Sequence, residues 1–307
     1  MKLTILGSSS ALPTSERYPT AHVLNVHERL FLIDCGEGTQ MQIRKNRIRL
    51  GKINYIFISH LHGDHVFGLY GLLSTFSLMG RKSPVYLYAP RGYDNILRSH
   101  LNDFDIHLDY EIRFTPLSGK DPVRILDNKY ITVQAFPLKH RVPSFGFLFR
   151  EKPHERNMIK ARITEYNIPV VRIPAIKKGE DFTLEDGTII KNEDLTTAPR
   201  EPLSYAYCSD TGFFSRLSSF VKGVDLLYHE ATFDSSLEKL AATTGHSTTL
   251  DAARTARDAG VKALIIGHFS SRYKDISFLV DEARTLFPDT VPAIDGQSYE
   301  VGNILQP

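Results

Sequence analysis

The sequence predicts an α/β protein in which two sheets pack together with helices outside. Two observations carry this expectation. Residues 1–149 alternate short apolar, β-prone runs with helical stretches, and residues 203–305 repeat that style after a break. Both halves also place polar side chains of metal-ligand type directly behind apolar runs, where a strand delivers a residue to the edge of a sheet. A chain of 307 residues with 42% hydrophobic content can bury a large core.

In the first half, strands are expected at Leu3–Leu6, Ala21–Val26, Leu30–Ile33, Tyr55–Ile58, Val85–Tyr88, Ile131–Phe136 and Gly146–Phe149. Helices are expected at Thr39–Lys45, Gly68–Leu78 and Tyr93–Leu101. In the second half the strands fall at Tyr205–Cys208, Leu226–His229 and Ala263–Ile266, and the helices at Thr249–Ala259 and Ser277–Leu286. Ser247 or Thr248 can cap the first of these helices, and Asp275 or Ser277 the second.

Residues 150–200 break the rhythm. From Arg150 to Lys178 there are eight Lys or Arg against three Glu, and from there to Asp194 six acids stand against Lys191 alone. Prolines at 153, 169 and 174 and the turn Glu185-Asp186-Gly187 predict an extended excursion with a small hairpin, not a helix of the core. For any charged insertion, a solvated loop without a role is the competing reading.

The hexapeptide His60-Leu61-His62-Gly63-Asp64-His65 holds four potential metal ligands in six residues, directly behind the apolar run from Ile53 to Ser59. Imidazole suits zinc, and a carboxylate can bridge or orient a second ion. His140, Asp210 and His268 stand in the same position behind three other apolar runs. Together they make seven ligands, the number required by two four- or five-coordinate ions that share one carboxylate. Asp34, at another strand end, suits a carboxylate that fixes a ligating imidazole from behind. His229 reads as a structural histidine or as a helper at the site, while His22, His27, His100, His107 and His154 lack ligand spacing.

With these motifs in view the chain resembles the metallo-β-lactamase superfamily and, within it, the short form of ribonuclease Z, the tRNA 3′-processing endonucleases. The resemblance spans the full length. It rests on Gly7-Ser8-Ser9, Asp34-Cys35-Gly36-Glu37-Gly38-Thr39-Gln40, the His60 to His65 motif, His140, Ser209-Asp210-Thr211, His229-Glu230-Ala231-Thr232, His246-Ser247-Thr248, and His268 with Arg272-Tyr273. It implies a metallo-β-lactamase-like four-layered αβ/βα sandwich, a single domain over 1–307, with residues 151–200 inserted as a protruding arm that grips tRNA.

The resemblance further implies two Zn2+ per subunit. His60, His62 and His140 would hold one, Asp64, His65 and His268 the other, and Asp210 would bridge them. Asp64 is the implied general base and His246, positioned by Glu230, the general acid. On the substrate side the resemblance points to Lys160, Arg162 and Arg172 in the arm. Arg272 and Tyr273 are placed to contact phosphate and stack on a base. Precursor tRNA is the implied partner and a homodimer the implied assembly. One departure from the family pattern is local: Gly-Pro often follows Asn-Ile-Pro in family arms, whereas here Asn167-Ile168-Pro169 continues as Val170-Val171-Arg172.

Composition narrows the alternatives. No stretch of about 18 apolar residues is present, and Met1-Lys2-Leu3-Thr4 runs straight into a strand, so a soluble, cytoplasmic protein is expected. Cys35 and Cys208 lack metal or disulfide spacing and read as buried thiols. A net charge of +2 says little about nucleic acid, so recognition of RNA must come from local patches. Two other classes compete: a small-molecule hydrolase of the same fold, which has no use for a charged arm, and a non-catalytic RNA-binding protein, which has no use for an intact ligand set.

Overall fold

The computed structural model describes residues 1–304. One seven-stranded sheet has the order Ser298–Glu300, Lys2–Gly7, Ala21–Val26, Arg29–Ile33, Ile53–Phe57, Val85–Pro90, Ile112–Leu117. Pairing is antiparallel as far as Arg29–Ile33 and parallel beyond it. The second has the order Thr290–Pro292, Leu264–Gly267, Leu226–Glu230, Ser204–Cys208, Ser144–Glu151, Ile131–Leu138, Val123–Asp127. Its first four members are parallel, and Ser144–Glu151 joins them antiparallel.

Period-two alternation explains the layers. In Arg29–Ile33, Phe31 and Ile33 enter a central cluster, while Leu30 and Leu32 lie under the helices Thr39–Lys45, Gly63–Leu78 and Tyr93–Asp103. In Ser204–Cys208, Tyr205 and Tyr207 enter that same central cluster, while Ala206 and Cys208 face the helices Thr249–Ala259 and Ser277–Arg284. The central cluster takes side chains from both sheets, so the order of layers is helix, sheet, sheet, helix. Aromatics dominate it: Phe57 stacks on Tyr88 at 4.7 Å and meets Phe147 and Phe149 edge-on from the other sheet. Burial of each such ring contributes roughly 1.5–3 kcal/mol, which makes this interface the main apolar tie between the sheets.

All ten expected strands are present in the two large sheets, and the four further strands of those sheets are their outermost members. Grouping the chain into an early and a late half is corrected. Val123–Asp127, Ile131–Leu138 and Ser144–Glu151 belong to the second sheet, and Ser298–Glu300 returns to pair with Lys2–Gly7 in the first. The helix expected from Gly68 begins at Gly63, so Gly63-Asp64-His65 form its first turn. Asp64 suits that position because a carboxylate is favoured near a helix N-terminus. The helix approaches the Asp34–Gly36 loop closely: Cys35 N donates to His65 O at 2.8 Å, and a Cβ on Gly68 would fall 2.0 Å from Gly36 O.

Residues Glu151–Pro202 form a separate compact unit. It is not an extended excursion. Helices Lys160–Glu165, Ile173–Lys177 and Asn192–Leu195 surround a small core of Ile168, Ile176, Phe182 and Leu195. The expected hairpin is there, Phe182–Thr183 against Ile189–Ile190, with Gly187 at φ 88° in its turn. Prolines 169 and 174 are compatible with this because they precede a short turn and open a helix, where no backbone donor is lost.

Candidate functional site

Strand ends bring seven side chains together at one edge of the sheets. His60 Nε2 lies 3.1 Å from His62 Nδ1 and 3.5 Å from Asp210 Oδ2, and His140 Nε2 lies 3.3 Å from the same His62 Nδ1. On the other side of Asp210, its Oδ1 is 3.3 Å from His65 Nε2 and 3.2 Å from His268 Nε2. Asp64 Oδ2 is 3.4 Å from each of those two nitrogens. The potential ligand atoms of His60, His62, His140 and Asp210 lie within 4.8 Å of one another, as do those of Asp64, His65 and His268. The two oxygens of Asp210 thus face two separate nests.

The chemistry of these donors fits metal ions. His65 Nε2 and His268 Nε2 are buried without a hydrogen-bond partner, an arrangement that costs free energy unless something accepts their lone pairs. Burial and neighbouring imidazoles lower the basicity of His60, and those of His62 and His140 fall as well, His62 to about 4, so all three are held neutral with a lone pair to offer. Around His65 the carboxylates of Asp64, Asp210 and Asp34 overcome burial and hold the imidazole well above its usual range. That is the signature of a pocket whose negative potential demands cations.

Every imidazole but His62 is oriented by a partner on its far nitrogen. His60 Nδ1 is 3.0 Å from Ser59 Oγ, His140 Nδ1 2.8 Å from Gly245 O, His65 Nδ1 2.8 Å from Asp34 Oδ2, and His268 Nδ1 2.9 Å from Thr232 Oγ1. Asp34 is fully buried with φ 56°, and also accepts from Ser59 N, Ser59 Oγ and the Tyr207 hydroxyl.

Glu230 organises the opposite flank. Its Oε1 accepts from Thr211 N, Ser247 N and, at 3.0 Å, His246 Nδ1, while Oε2 accepts from Thr232 N and Thr232 Oγ1. Burial depresses the basicity of His246, but the adjacent Glu230 carboxylate outweighs it and pushes the pKa up to about 9. At neutral pH the ring therefore holds a proton beside the two nests.

The remaining candidates divide. Arg272 is exposed on the cleft of about 620 Å³ above the nests, its guanidinium 5.0 Å from the Phe233 ring. Tyr273 is corrected: its ring is buried and its hydroxyl donates to Asp234 Oδ2 at 2.6 Å, which leaves no face for a base. Lys160 and Arg172 are exposed within the inserted unit, and Arg162 pairs with Glu165 at 2.6 Å. His229 is buried with Nδ1 2.6 Å from Glu230 O, although its Nε2 lacks a partner. His22 is buried between the sheets, edge-on to Tyr207 and Tyr228. Sequence reasoning missed Ser59 and Tyr207 and gave Thr232 no role of its own. For Ser59 and Thr232 the available signal was a hydroxyl beside, or two residues after, a site residue.

A family model described as Anti-Pycsar protein Apyc1 matches residues 1–161. That match ends before Asp210, Glu230, His246 and His268, so the full-length relatives bear on the whole site. The ribonuclease Z of Bacteroides thetaiotaomicron is 43% identical over 302 residues, covering 98% of this chain and 96% of its own. That of Bacteroides fragilis is 45% identical over 292 residues, covering 95% and 96%. Among solved structures, human tRNase Z, short form, has a TM-score of 0.72 at 27% identity and covers 98% of this chain and 99% of its own. The metallo-β-lactamase fold protein YhfI of Bacillus subtilis has a TM-score of 0.68 at 17% identity, covering 97% and 98%, a likeness of fold alone.

Replacement of Asp34 by Ala strips the Tyr207 hydroxyl, Ser59 N and His65 Nδ1 of a buried acceptor. At roughly 1–3 kcal/mol for each unsatisfied group, the variant is expected to lose at least about 3 kcal/mol in chemical denaturation, and Asp34→Asn less. Equal stability of Asp34→Ala and wild type would show that these bonds do not hold the site.

Proposed function

The chain belongs to the ribonuclease Z family, its first 161 residues also fitting the Apyc1 model, and from that premise we propose a zinc-dependent endoribonuclease that removes the 3′ trailer of precursor tRNA. The observation that carries the reading is the division of Asp210 between two nests of imidazole and carboxylate, beside His246 held by Glu230 at 3.0 Å. We take the metals to be two zinc ions, the cut to leave a 3′-hydroxyl on the tRNA and a 5′-phosphate on the trailer, and the working form to be a cytoplasmic homodimer. No helix among the described residues is long and apolar enough to cross a membrane.

In this reading His60, His62 and His140 would hold one ion, Asp64, His65 and His268 the other, and Asp210 would serve both. Zinc at such a site lowers the pKa of water toward neutrality and stabilises the charge that builds up on a phosphodiester under in-line attack. Asp64 takes the role of general base by its position, its Oδ2 lying 3.4 Å from His65 Nε2 and His268 Nε2 at the floor of the cleft, and those two imidazoles keep it ionised against burial. His246 donates its Nε2 proton to the departing 3′-oxygen. Glu230 keeps that imidazole oriented and charged until the donation.

The inserted unit 151–200 is read as the arm that grips tRNA. Lys160, Arg162 and Arg172 supply phosphate contacts, and the ion pairs of Arg162 with Glu165 and Arg172 with Glu180 are too exposed to compete strongly with an RNA backbone. The exposed Val170 and Val171 stand where family arms often carry Gly-Pro, so this grip differs in detail.

Three outcomes test the reading. Asp210→Ala is expected to abolish both metal loading and cleavage of precursor tRNA; two metals per chain with normal cleavage would unseat the bridge. His246→Ala should keep both metals and tRNA affinity yet lose roughly two to four orders of magnitude in kcat, whereas loss of metal would make it a ligand. Replacing Lys160, Arg162 and Arg172 together by Ala should weaken two unrelated precursors about equally. It should also flatten the slope of log affinity against log salt by roughly 0.7–0.9 per lost contact, and an unchanged slope means the charges are only solvated.

A further inference from the structure

Phe67 is 66% exposed, an unusual state for an aromatic side chain one helical turn past Asp64. It lines the same cleft as Asp64, His246 and Arg272. Its ring is also held in place: a Cβ on Gly63 would fall 2.3 Å from Phe67 Cε2, so the ring rests directly on the bare backbone between His62 and Asp64. Exposed Pro13 and Ala11 line this cleft too, and Arg141 and Arg272 contribute its cations. An apolar aromatic surface and two arginine guanidiniums around a polar, negatively charged floor match one ligand chemistry, an unpaired nucleotide whose base stacks while its phosphates pair with the arginines.

We propose that Phe67 is the stacking platform for an unpaired base flanking the scissile phosphate, a specificity-determining contact for single-stranded RNA at the cleavage point. This rests on the endoribonuclease reading given above. It reassigns the role expected of Tyr273, whose ring is buried. A base seated on Phe67 fixes the adjoining phosphate over Asp64 and Asp210, whereas a paired base inside a duplex presents no free face to the ring. The platform therefore selects the junction between the tRNA stem and its single-stranded end, and it tolerates any base because every base has a π-face.

The test uses full-length, metal-loaded enzyme and a precursor tRNA carrying 2-aminopurine at each of the two positions flanking the cut in turn. Wild-type enzyme is expected to cleave the precursor and to quench the probe at one of these positions. Phe67→Leu and Phe67→Ala should relieve the quenching and raise KM about ten- to a hundredfold with kcat changed only a few-fold, at unchanged metal content, while Phe67→Tyr restores both quenching and KM. On a precursor made abasic at the quenched position, wild type and Phe67→Leu should have the same KM. Persistent quenching in Phe67→Leu, or a KM penalty that survives removal of the base, overturns the platform. So does a fall from dimer to monomer in sedimentation that accompanies the KM change, since the ring would then belong to a subunit interface. Failure of wild-type enzyme to cut precursor tRNA at all would instead sink the endoribonuclease reading itself.

Discussion

The buried carboxylate of Asp34 is the interaction on which the site depends. It sits just past the strand Arg29–Ile33 of the first sheet and accepts from Tyr207 on the second sheet at 2.5 Å, from Ser59 behind the strand Ile53–Phe57, and from His65 in the first turn of a helix. One charge thereby fixes two sheets and a helix to each other at the edge where the nests lie. The left-handed backbone at φ 56°, which Asp tolerates better than most residues, turns the carboxylate inward. The imidazoles of His65 and His60 and the backbone N–H of Ser59 keep it ionised against the opposing effect of complete burial.

Glu230 repeats the device on the opposite flank with a different consequence. Its five donors come from the loops after two strand ends and from the turn before the helix Thr249–Ala259, so the carboxylate shapes the backbone around Thr211 and Ser247 as much as it charges His246. Through the Thr232 hydroxyl, which donates to Glu230 and accepts from His268, it also selects the tautomer of His268 that leaves Nε2 free. The imidazoles of His246 and His268 are therefore oriented by one buried charge, and a change at Glu230 cannot alter the first without disturbing the second.

What the sequence revealed follows the same physics. Interior strands such as Arg29–Ile33 and Ser204–Cys208 are buried on both faces, so their apolar runs stand out. The four outermost strands are short or half exposed, as Val123–Asp127 with its Arg124 and Asp127 illustrates, and their residues read as loop. The helix at Gly63 was obscured because its first turn is spent on site residues instead of apolar ones. The inserted unit misled through its prolines: Pro169 and Pro174 suggest extended chain until the small core of Ile168, Ile176, Phe182 and Leu195 is known, and that core joins residues far apart in the segment.

The same distinction separates the part of the site that can be read from the part that cannot. Ligand-type residues are legible because their position is local: each follows an apolar run that ends at the sheet edge, and the chemistry of His and Asp does the rest. Residues that meet a substrate are defined by exposure, which is a property of the whole packing. Tyr273 and Phe67 both lie close in sequence to site residues and are equivalent as aromatic signals. Packing buries the first against Phe278 and Asp234, and lays the second across Gly63 with most of its surface open to the cleft. Proximity in sequence to the chemistry therefore nominates a residue for the site, while only the tertiary packing decides whether it acts as wall, brace or contact.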